Sequence, residues 1–259
     1  MKRLALIIFI LAGISLNAQD LSLFENEIFV NESDTLNYRI LKPLDYDPNQ
    51  QYPVHLLLHG SGERGSDNTS QLTYVDQLFL KKENRENYKS WVIIPQCPND
   101  DRWPSLSSDD WNKNFENKIT SPNKSLRLVM ELMDGFIEKK QVNKQKIYVS
   151  GLSMGGMGVF EILYRRPNMF AAATPICGNG IPEFAKLYAN KVSVWIFHGS
   201  DDTVVEPKHS FKMAKAIIKS GGSPKMTLYE NVGHGSWNNA FAEPNFLKWI
   251  HSKSKNDNK

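Results

Sequence analysis

The 259-residue sequence contains only two cysteines, Cys97 and Cys177. It also lacks a His-Glu-x-x-His motif and any cluster of cysteines and histidines at metal-binding spacing, so we expect no metal and no other cofactor. Each cysteine follows a predicted strand, and an exported protein can keep a disulfide between two such positions. Two separate buried thiols are the alternative that the sequence leaves open, because it does not give the Cα separation that a disulfide requires.

Neither sign of charge dominates the sequence. Lysine and arginine number 31, aspartate and glutamate number 28, and the net charge is +3. The basic residues are scattered along the chain, apart from the short tail that starts at Lys253. This distribution argues against a nucleic-acid partner.

The sequence has an apolar stretch at residues 4–16, but that stretch is short of the roughly 20 residues that a membrane-spanning helix needs. Met1-Lys2-Arg3 precedes it and Asn17-Ala18 follows it, which is typical of a secretory signal peptide cut after Ala18. We therefore expect residues 1–18 to be removed. The mature protein is then expected in the periplasm or the medium, without stable insertion into a membrane.

Short apolar segments alternate with amphipathic helical ones along the chain, which predicts an α/β fold with a mainly parallel sheet of about eight strands covered by helices on both faces. We expect one domain over residues 19–259, with a frayed tail after about residue 252. The expected strands are residues 23–30, 34–41, 54–58, 91–94, 147–150, 171–176, 192–197 and 226–229. The expected helices are residues 125–139, 154–164, 207–219 and 244–251.

One of these strands runs into the motif Gly151-Leu-Ser153-Met-Gly155, and helix-forming sequence follows at once. Strand, sharp turn and helix are the context of a nucleophile elbow. Glycines suit the tight turn because a Cβ there would collide with the neighbouring backbone. Ser153 is therefore the predicted nucleophile, at a helix N-terminus that favours developing negative charge.

Candidate partners for Ser153 follow two later strands. Asp202 and His234 come after it in the order Ser, Asp, His, which is the order of the α/β-hydrolase fold. The serine needs an imidazole to take its proton, and the imidazole needs a carboxylate to fix its tautomer. Asp201 is the alternative acid, which we interpret as a turn residue, and Glu206 is a remote third choice. The other histidines are interpreted as structural or peripheral groups, namely His55, His59, His198, His209 and His251.

A glycine-rich run, residues 59–65, follows the strand at residues 54–58. In hydrolases of this fold such a loop supplies one N–H of the oxyanion hole, and the residue after the nucleophile supplies the other. These donors are predicted to be Ser61 and Met154. Gly62 is the alternative to Ser61.

Three tryptophans are candidates for binding a substrate. Trp103 and Trp111 lie in a long polar segment between residues 98 and 122, and Trp237 follows His234 closely. An indole offers a flat apolar face to a sugar ring or an aromatic ester. The alternative is that the tryptophans only anchor the segment.

Several motifs together resemble the secreted α/β-hydrolases of the esterase and dienelactone-hydrolase-like group. That group overlaps the phospholipase/carboxylesterase and prolyl-oligopeptidase-type families, and it includes feruloyl and acetyl xylan esterases. The resemblance spans about residues 34–250, and its His-Gly-x-x-Asp pattern places the acid at Asp202. The matching motifs are residues 58–65, 95–98, 151–156, 175–178, 197–202 and 233–237.

The resemblance implies an α/β-hydrolase fold and a secreted serine carboxylic-ester hydrolase (EC 3.1.1) that acts on small or polysaccharide-linked esters, such as acetyl or feruloyl esters. Two alternatives stay open. One is a small serine peptidase of the prolyl-oligopeptidase type with the same triad, and the other is a non-catalytic carbohydrate-binding relative. The sequence does not predict an oligomeric state.

Overall fold

The computed structural model describes residues 20–105 and 121–258. Eight strands form one sheet in the order β1-β2-β4-β3-β5-β6-β7-β8. The β1–β2 and β2–β4 pairs are antiparallel, and the remaining pairs are parallel. The strands are β1 (Phe24–Asn31), β2 (Asp34–Leu41), β3 (Tyr52–Leu58), β4 (Trp91–Pro95), β5 (Val142–Leu152), β6 (Ala172–Ile176), β7 (Ser193–Gly199) and β8 (Lys225–Tyr229).

The part of the chain that the structure describes also contains six α-helices and several short turns. The helices are α1 (Lys82–Asn87), α2 (Lys124–Phe136), α3 (Met154–Arg165), α4 (Lys208–Lys219), α5 (Trp237–Ala242) and α6 (Phe246–His251). The 3₁₀ turns are Leu21–Leu23, Ser61–Glu63, Ser70–Leu72, Pro182–Leu187 and Lys255–Asn258, and Asp76–Leu80 is a π-helical turn. Among the described residues, every helix is too short or too polar to cross a lipid bilayer.

Side chains that alternate along β3 pack into two separate layers. Leu56 belongs to the core that contains Leu128 and Met133 of α2, whereas Leu57 belongs to the core that contains Phe246 and Ile250 of α6. A parallel strand buried on both faces has this near-continuous apolar composition. The predicted mainly parallel sheet with helices on both faces is confirmed.

The end of the chain forms a short turn near β5. Residues after 252 continue into the 3₁₀ turn Lys255–Asn258. The hydroxyl of Tyr148 donates to the carbonyl of Lys253, and the carboxylate of Asp257 accepts from the N–H of Ser254. The first of these bonds ties residue 253 to β5 and the second lies within the turn, and the fraying after about residue 252 stays a prediction.

Three histidines are held in the neutral form inside or beside the core. Burial lowers the pKa of His55 to about 3, and that of His59 and His251 to about 4. The Nδ1–H of His59 donates to Gly60 O (2.6 Å), and its Nε2 accepts the N–H of Cys97 (2.9 Å). Protonation of Nε2 would therefore break a backbone hydrogen bond. His59 therefore has the structural role predicted from the sequence.

The low pKa values of these three histidines predict that the protein loses stability at mildly acidic pH. In the unfolded chain they take up protons below about pH 6.5, whereas in the folded protein they resist protonation until about pH 3 to 4. The folded state is therefore disfavoured as pH falls through that window, by at most about 1.4 kcal/mol per pH unit for each histidine. Urea unfolding at pH 7.5, 6.0 and 5.0 should show a falling free energy of unfolding.

His55→Gln provides the control. A glutamine amide can keep the contact of His55 Nε2 with the hydroxyl of Ser150 (2.7 Å), but it does not titrate. We expect a shallower pH dependence in this variant. A wild-type free energy of unfolding that stays constant between pH 7.5 and pH 5.0 would contradict the prediction.

Candidate active site

Ser153 stands alone between β5, which ends at Leu152, and α3, which begins at Met154. Its backbone has φ 53° and ψ −116°, a conformation that non-glycine residues rarely adopt. The N–H of Ser153 donates to Ile176 O (2.9 Å), which helps to hold the turn. Such local strain is typical of functional sites. The sharp turn raises the hydroxyl of Ser153 above the end of the strand.

The glycines of the motif permit close contacts between backbones. A Cβ on Gly151 would lie 2.4 Å from Gly155 O, and a Cβ on Gly155 would lie 2.0 Å from Leu58 O. Both distances are far shorter than any tolerated contact. The tight packing of α3 against β3 and β5 therefore depends on these two positions having no side chain.

Three side chains from three loops form a continuous chain of hydrogen bonds. Ser153 Oγ lies 2.9 Å from His234 Nε2, and His234 Nδ1 lies 2.8 Å from Asp202 Oδ2. Nδ1 donates, because an ionised carboxylate can only accept. This leaves Nε2 of the neutral ring free to accept the proton of Ser153, as general-base catalysis requires.

The carboxylate of Asp202 is wholly buried and held on both of its oxygens. Oδ1 accepts the N–H groups of Val204 and Val205, each at 2.9 Å. In contrast, Asp201 is exposed and its Oδ1 accepts the hydroxyl of Ser200. The structure thus brings Asp202 to His234, and it does not bring Asp201.

The third candidate acid also lies elsewhere. Glu206 is exposed and pairs with Lys208 (2.5 Å), which lowers its pKa. Glu206 therefore lies at the surface, two residues before α4 begins.

The predicted oxyanion donors lie on two loops that leave neighbouring strands. Ser61 opens the turn Ser61–Glu63 after β3, and Met154 opens α3 after β5. The two strands are parallel, with Leu58 opposite Gly151. Both backbone N–H groups therefore lie at the same end of the sheet as Ser153, and their role as oxyanion donors stays a prediction.

The three tryptophans have different positions. Trp103 is fully buried, and its Nε1–H donates to His59 O (2.9 Å). It has no surface left for a substrate, so its prediction as a substrate-binding residue was wrong and the anchoring alternative holds. Trp111 lies outside the described residues. Trp237 is half-buried and meets the ring of His234 edge-on, with 5.4 Å between ring centroids, so it stays a candidate wall of the site.

Both cysteines are buried free thiols, so the alternative without a disulfide describes this structure. Burial raises the pKa of Cys97 and of Cys177 to about 12, which keeps both thiols protonated and unreactive. Among the described residues, potential metal ligands come within 4.8 Å of one another at Cys177, Asp202 and His234. Asp202 and His234 are already engaged in the hydrogen bonds described above.

One residue beside the site, His198, was predicted from the sequence to have only a structural role. His198, near the end of β7, is fully buried, and its Nε2 lies 3.2 Å from Asp202 Oδ2. The available signal was its spacing, since it precedes Asp202 by four residues in His-Gly-Ser-Asp-Asp. That spacing alone does not show that the ring turns back towards the carboxylate.

Comparison with known families identifies the family of this chain. The model of the phospholipase/carboxylesterase family matches residues 47–250. The chain belongs to the phospholipase/carboxylesterase family. The predicted resemblance to esterase-type α/β-hydrolases is therefore confirmed, and the family agrees with the predicted class of serine hydrolase.

Two curated relatives are esterases. Esterase YpfH of Escherichia coli (strain K12) is 29% identical over 127 residues, which cover 45% of this chain and 52% of the relative. Acetylxylan esterase A of Aspergillus awamori is 25% identical over 167 residues, which cover 63% of this chain and 51% of the relative. This member of the phospholipase/carboxylesterase family thus spans about half the length of the curated relatives it matches.

A solved structure shows the same architecture. The crystal structure of a thermostable esterase superposes with a TM-score of 0.80 and 29% sequence identity. The superposition covers 90% of this chain and 64% of the other. The α/β-hydrolase fold of this family member therefore extends over nearly all of the chain.

Proposed function

We propose that the protein is a secreted serine carboxylic-ester hydrolase that cleaves short acyl or aryl esters, including acetyl or feruloyl esters carried by polysaccharides. The observation that carries the proposal is the unbroken chain from Ser153 Oγ through His234 to the buried carboxylate of Asp202. Membership of the phospholipase/carboxylesterase family supports the ester as the bond that is cleaved.

The proposed reaction proceeds through an acyl-serine intermediate. Ser153 Oγ attacks the ester carbonyl carbon while His234 Nε2 takes its proton, and the carbonyl oxygen becomes an oxyanion near the N–H groups of Ser61 and Met154. The tetrahedral intermediate collapses, His234 gives its proton to the leaving alkoxide, and an acyl-serine remains. Water then attacks the acyl group, with His234 again as base, and the acid is released.

Access to the site supports small or protruding ester groups as substrates. Ser153 is half-buried, and 21% of the side chain of His234 is exposed, so both reacting groups can be reached from solvent. An acetyl or feruloyl group that projects from a polymer could therefore reach the serine without entry of the polymer into the protein. The 25% identity to an acetylxylan esterase supports the same class of substrate.

The proposal of secretion depends on the N-terminal segment. Residues 1–18 have the charged start, apolar core and small residue at the cut that a signal peptide requires, and they lie outside the described residues. Expression of the full chain in a bacterial host, followed by N-terminal sequencing of the periplasmic fraction, tests this. We expect a mature chain that begins at Gln19.

A substrate panel tests the catalytic part of the proposal. Hydrolysis by the mature protein is measured for p-nitrophenyl acetate, p-nitrophenyl octanoate, methyl ferulate, acetylated xylan and a glycyl-prolyl p-nitroanilide. We expect cleavage of the acetate and of at least one of the two plant-derived esters, with slow cleavage of the octanoate. Cleavage of the anilide alone would instead indicate a peptidase. Binding of xylan oligosaccharides without any turnover would indicate a carbohydrate-binding protein.

A further inference from the structure

A second imidazole contacts the carboxylate that orients His234. Oδ2 of Asp202 lies 2.8 Å from Nδ1 of His234 and 3.2 Å from Nε2 of His198. Both Asp202 and His198 have wholly buried side chains, so water does not compete for this contact. A buried carboxylate oxygen can accept two donors, and each donor restricts how the carboxylate can rotate.

The tautomer of His198 follows from its neighbours. Its Nε2 lies 2.7 Å from Val205 O, and a carbonyl oxygen can only accept, so Nε2 carries a hydrogen. Its Nδ1 lies 2.7 Å from the hydroxyl of Ser210 in α4. Burial lowers the pKa of His198, so the ring is neutral near pH 7 and Nδ1 accepts the hydrogen of Ser210. The titratable groups that influence this ring are Asp202, His234 and His209.

The Nε2–H of His198 donates to Val205 O (2.7 Å), and Asp202 Oδ2, 3.2 Å from the same nitrogen, is a second acceptor within reach. The N–H of Val205 donates to the other oxygen of Asp202. The ring of His198 thus contacts both the carboxylate of Asp202 and the backbone of Val205, whose N–H holds that carboxylate. Rotation of the carboxylate away from His234 would require loss of contacts on both oxygens.

We propose that His198 is a positioning residue of the active site, which donates through Nε2–H to Asp202 and keeps the carboxylate aligned with His234. The inference rests on the proposed function, since it deepens the account of the same triad. Its hydrogen bond also spreads the negative charge of Asp202, which moderates the pull of the carboxylate on the proton of charged His234.

Two substitutions separate the ring's two nitrogens. An asparagine amide reaches the place of Nδ1 and can keep the contact with Ser210, whereas a glutamine amide reaches the place of Nε2 and can keep the donor to Asp202. We expect His198→Asn to lower kcat for p-nitrophenyl acetate by about tenfold to a hundredfold, with little change in KM. His198→Gln should stay within about threefold of wild type. Equal losses in both variants would overturn the proposal.

The pH profile distinguishes positioning from simple packing. In His198→Asn the charge of Asp202 is no longer shared, so it holds the proton of His234 more strongly. The acid limb of kcat/KM should therefore move to higher pH in this variant and stay at the wild-type position in His198→Gln. A rate that falls equally at every pH, with an unmoved acid limb, would assign His198 a packing role only.

A measurement on the wild-type protein covers the case in which His198→Asn does not fold. In spectra of protein with ¹⁵N-labelled histidine rings, His198 should appear as the Nε2–H tautomer, and its signals should move as His234 titrates. The proposal would be contradicted by ¹⁵N shifts of His198 that stay constant as His234 titrates, or by an Nδ1–H tautomer. This coupling does not depend on turnover, so an inactive protein would refute the proposed function while the coupling could still be observed.

Discussion

Ser153→Ala is expected to reduce ester hydrolysis by roughly a million-fold in kcat while the protein stays folded. Ser153 is the group in this hydrogen-bonded chain that forms the acyl intermediate. His234 and Asp202 only activate the serine, so they cannot replace it. Alanine has the same Cβ as serine, so the substitution adds no backbone strain at the φ of 53°. The measurements are kcat on p-nitrophenyl acetate, thermal unfolding by circular dichroism, and covalent labelling by a fluorophosphonate.

Ser150→Ala is the matched control for this loss. Ser150 lies three residues earlier, at the buried end of the same segment, and its hydroxyl contacts His55 Nε2 (2.7 Å) and Thr174 Oγ1 (2.5 Å). Its loss leaves buried polar groups without a partner, so the variant should melt earlier yet keep its turnover and its labelling. Undiminished hydrolysis by Ser153→Ala, or labelling lost in Ser150→Ala and kept in Ser153→Ala, would contradict the assignment of the nucleophile.

The sequence predicted best those features that depend on short stretches of chain. The strand, turn and helix around Ser153 could be predicted because the glycines at 151 and 155 report a local steric demand, which the close approach to Leu58 O and Gly155 O explains. The spacing of apolar residues likewise predicted α2, whose Leu128, Leu132, Met133 and Phe136 are buried.

Features that depend on distant contacts were harder to predict. An indole in a polar segment suits a binding site as well as an anchor, and only the tertiary contact of Trp103 with His59 O decides between them. None of the expected strands and helices falls within residues 70–87, yet these residues form short turns and α1 that bury Leu72, Val75, Leu78 and Phe79. Each of these elements is too short to show a helical period, so packing against the sheet determines them.

Asp202→Asn is expected to lower kcat by about ten-thousand-fold, even though the substitution changes one oxygen for one nitrogen. The asparagine amide can donate to Nδ1 of His234, which would place the ring's hydrogen on Nε2. A ring with Nε2–H cannot accept the proton of Ser153, so the nucleophile is not activated. The variant should still fold, because the amide oxygen can accept the N–H groups of Val204 and Val205 as Oδ1 does now.

Asp201→Asn makes the same chemical change one residue earlier and shows whether position or charge matters. Asp201 is exposed and its carboxylate accepts the hydroxyl of Ser200, so the variant should keep kcat within about twofold of wild type. Measurement of kcat and KM for p-nitrophenyl acetate in both variants compares them directly. A larger loss in Asp201→Asn than in Asp202→Asn would mean that the loop rearranges on substrate binding. In that case the acid would be the residue at the surface and not the one that Val204, Val205 and His198 hold in place.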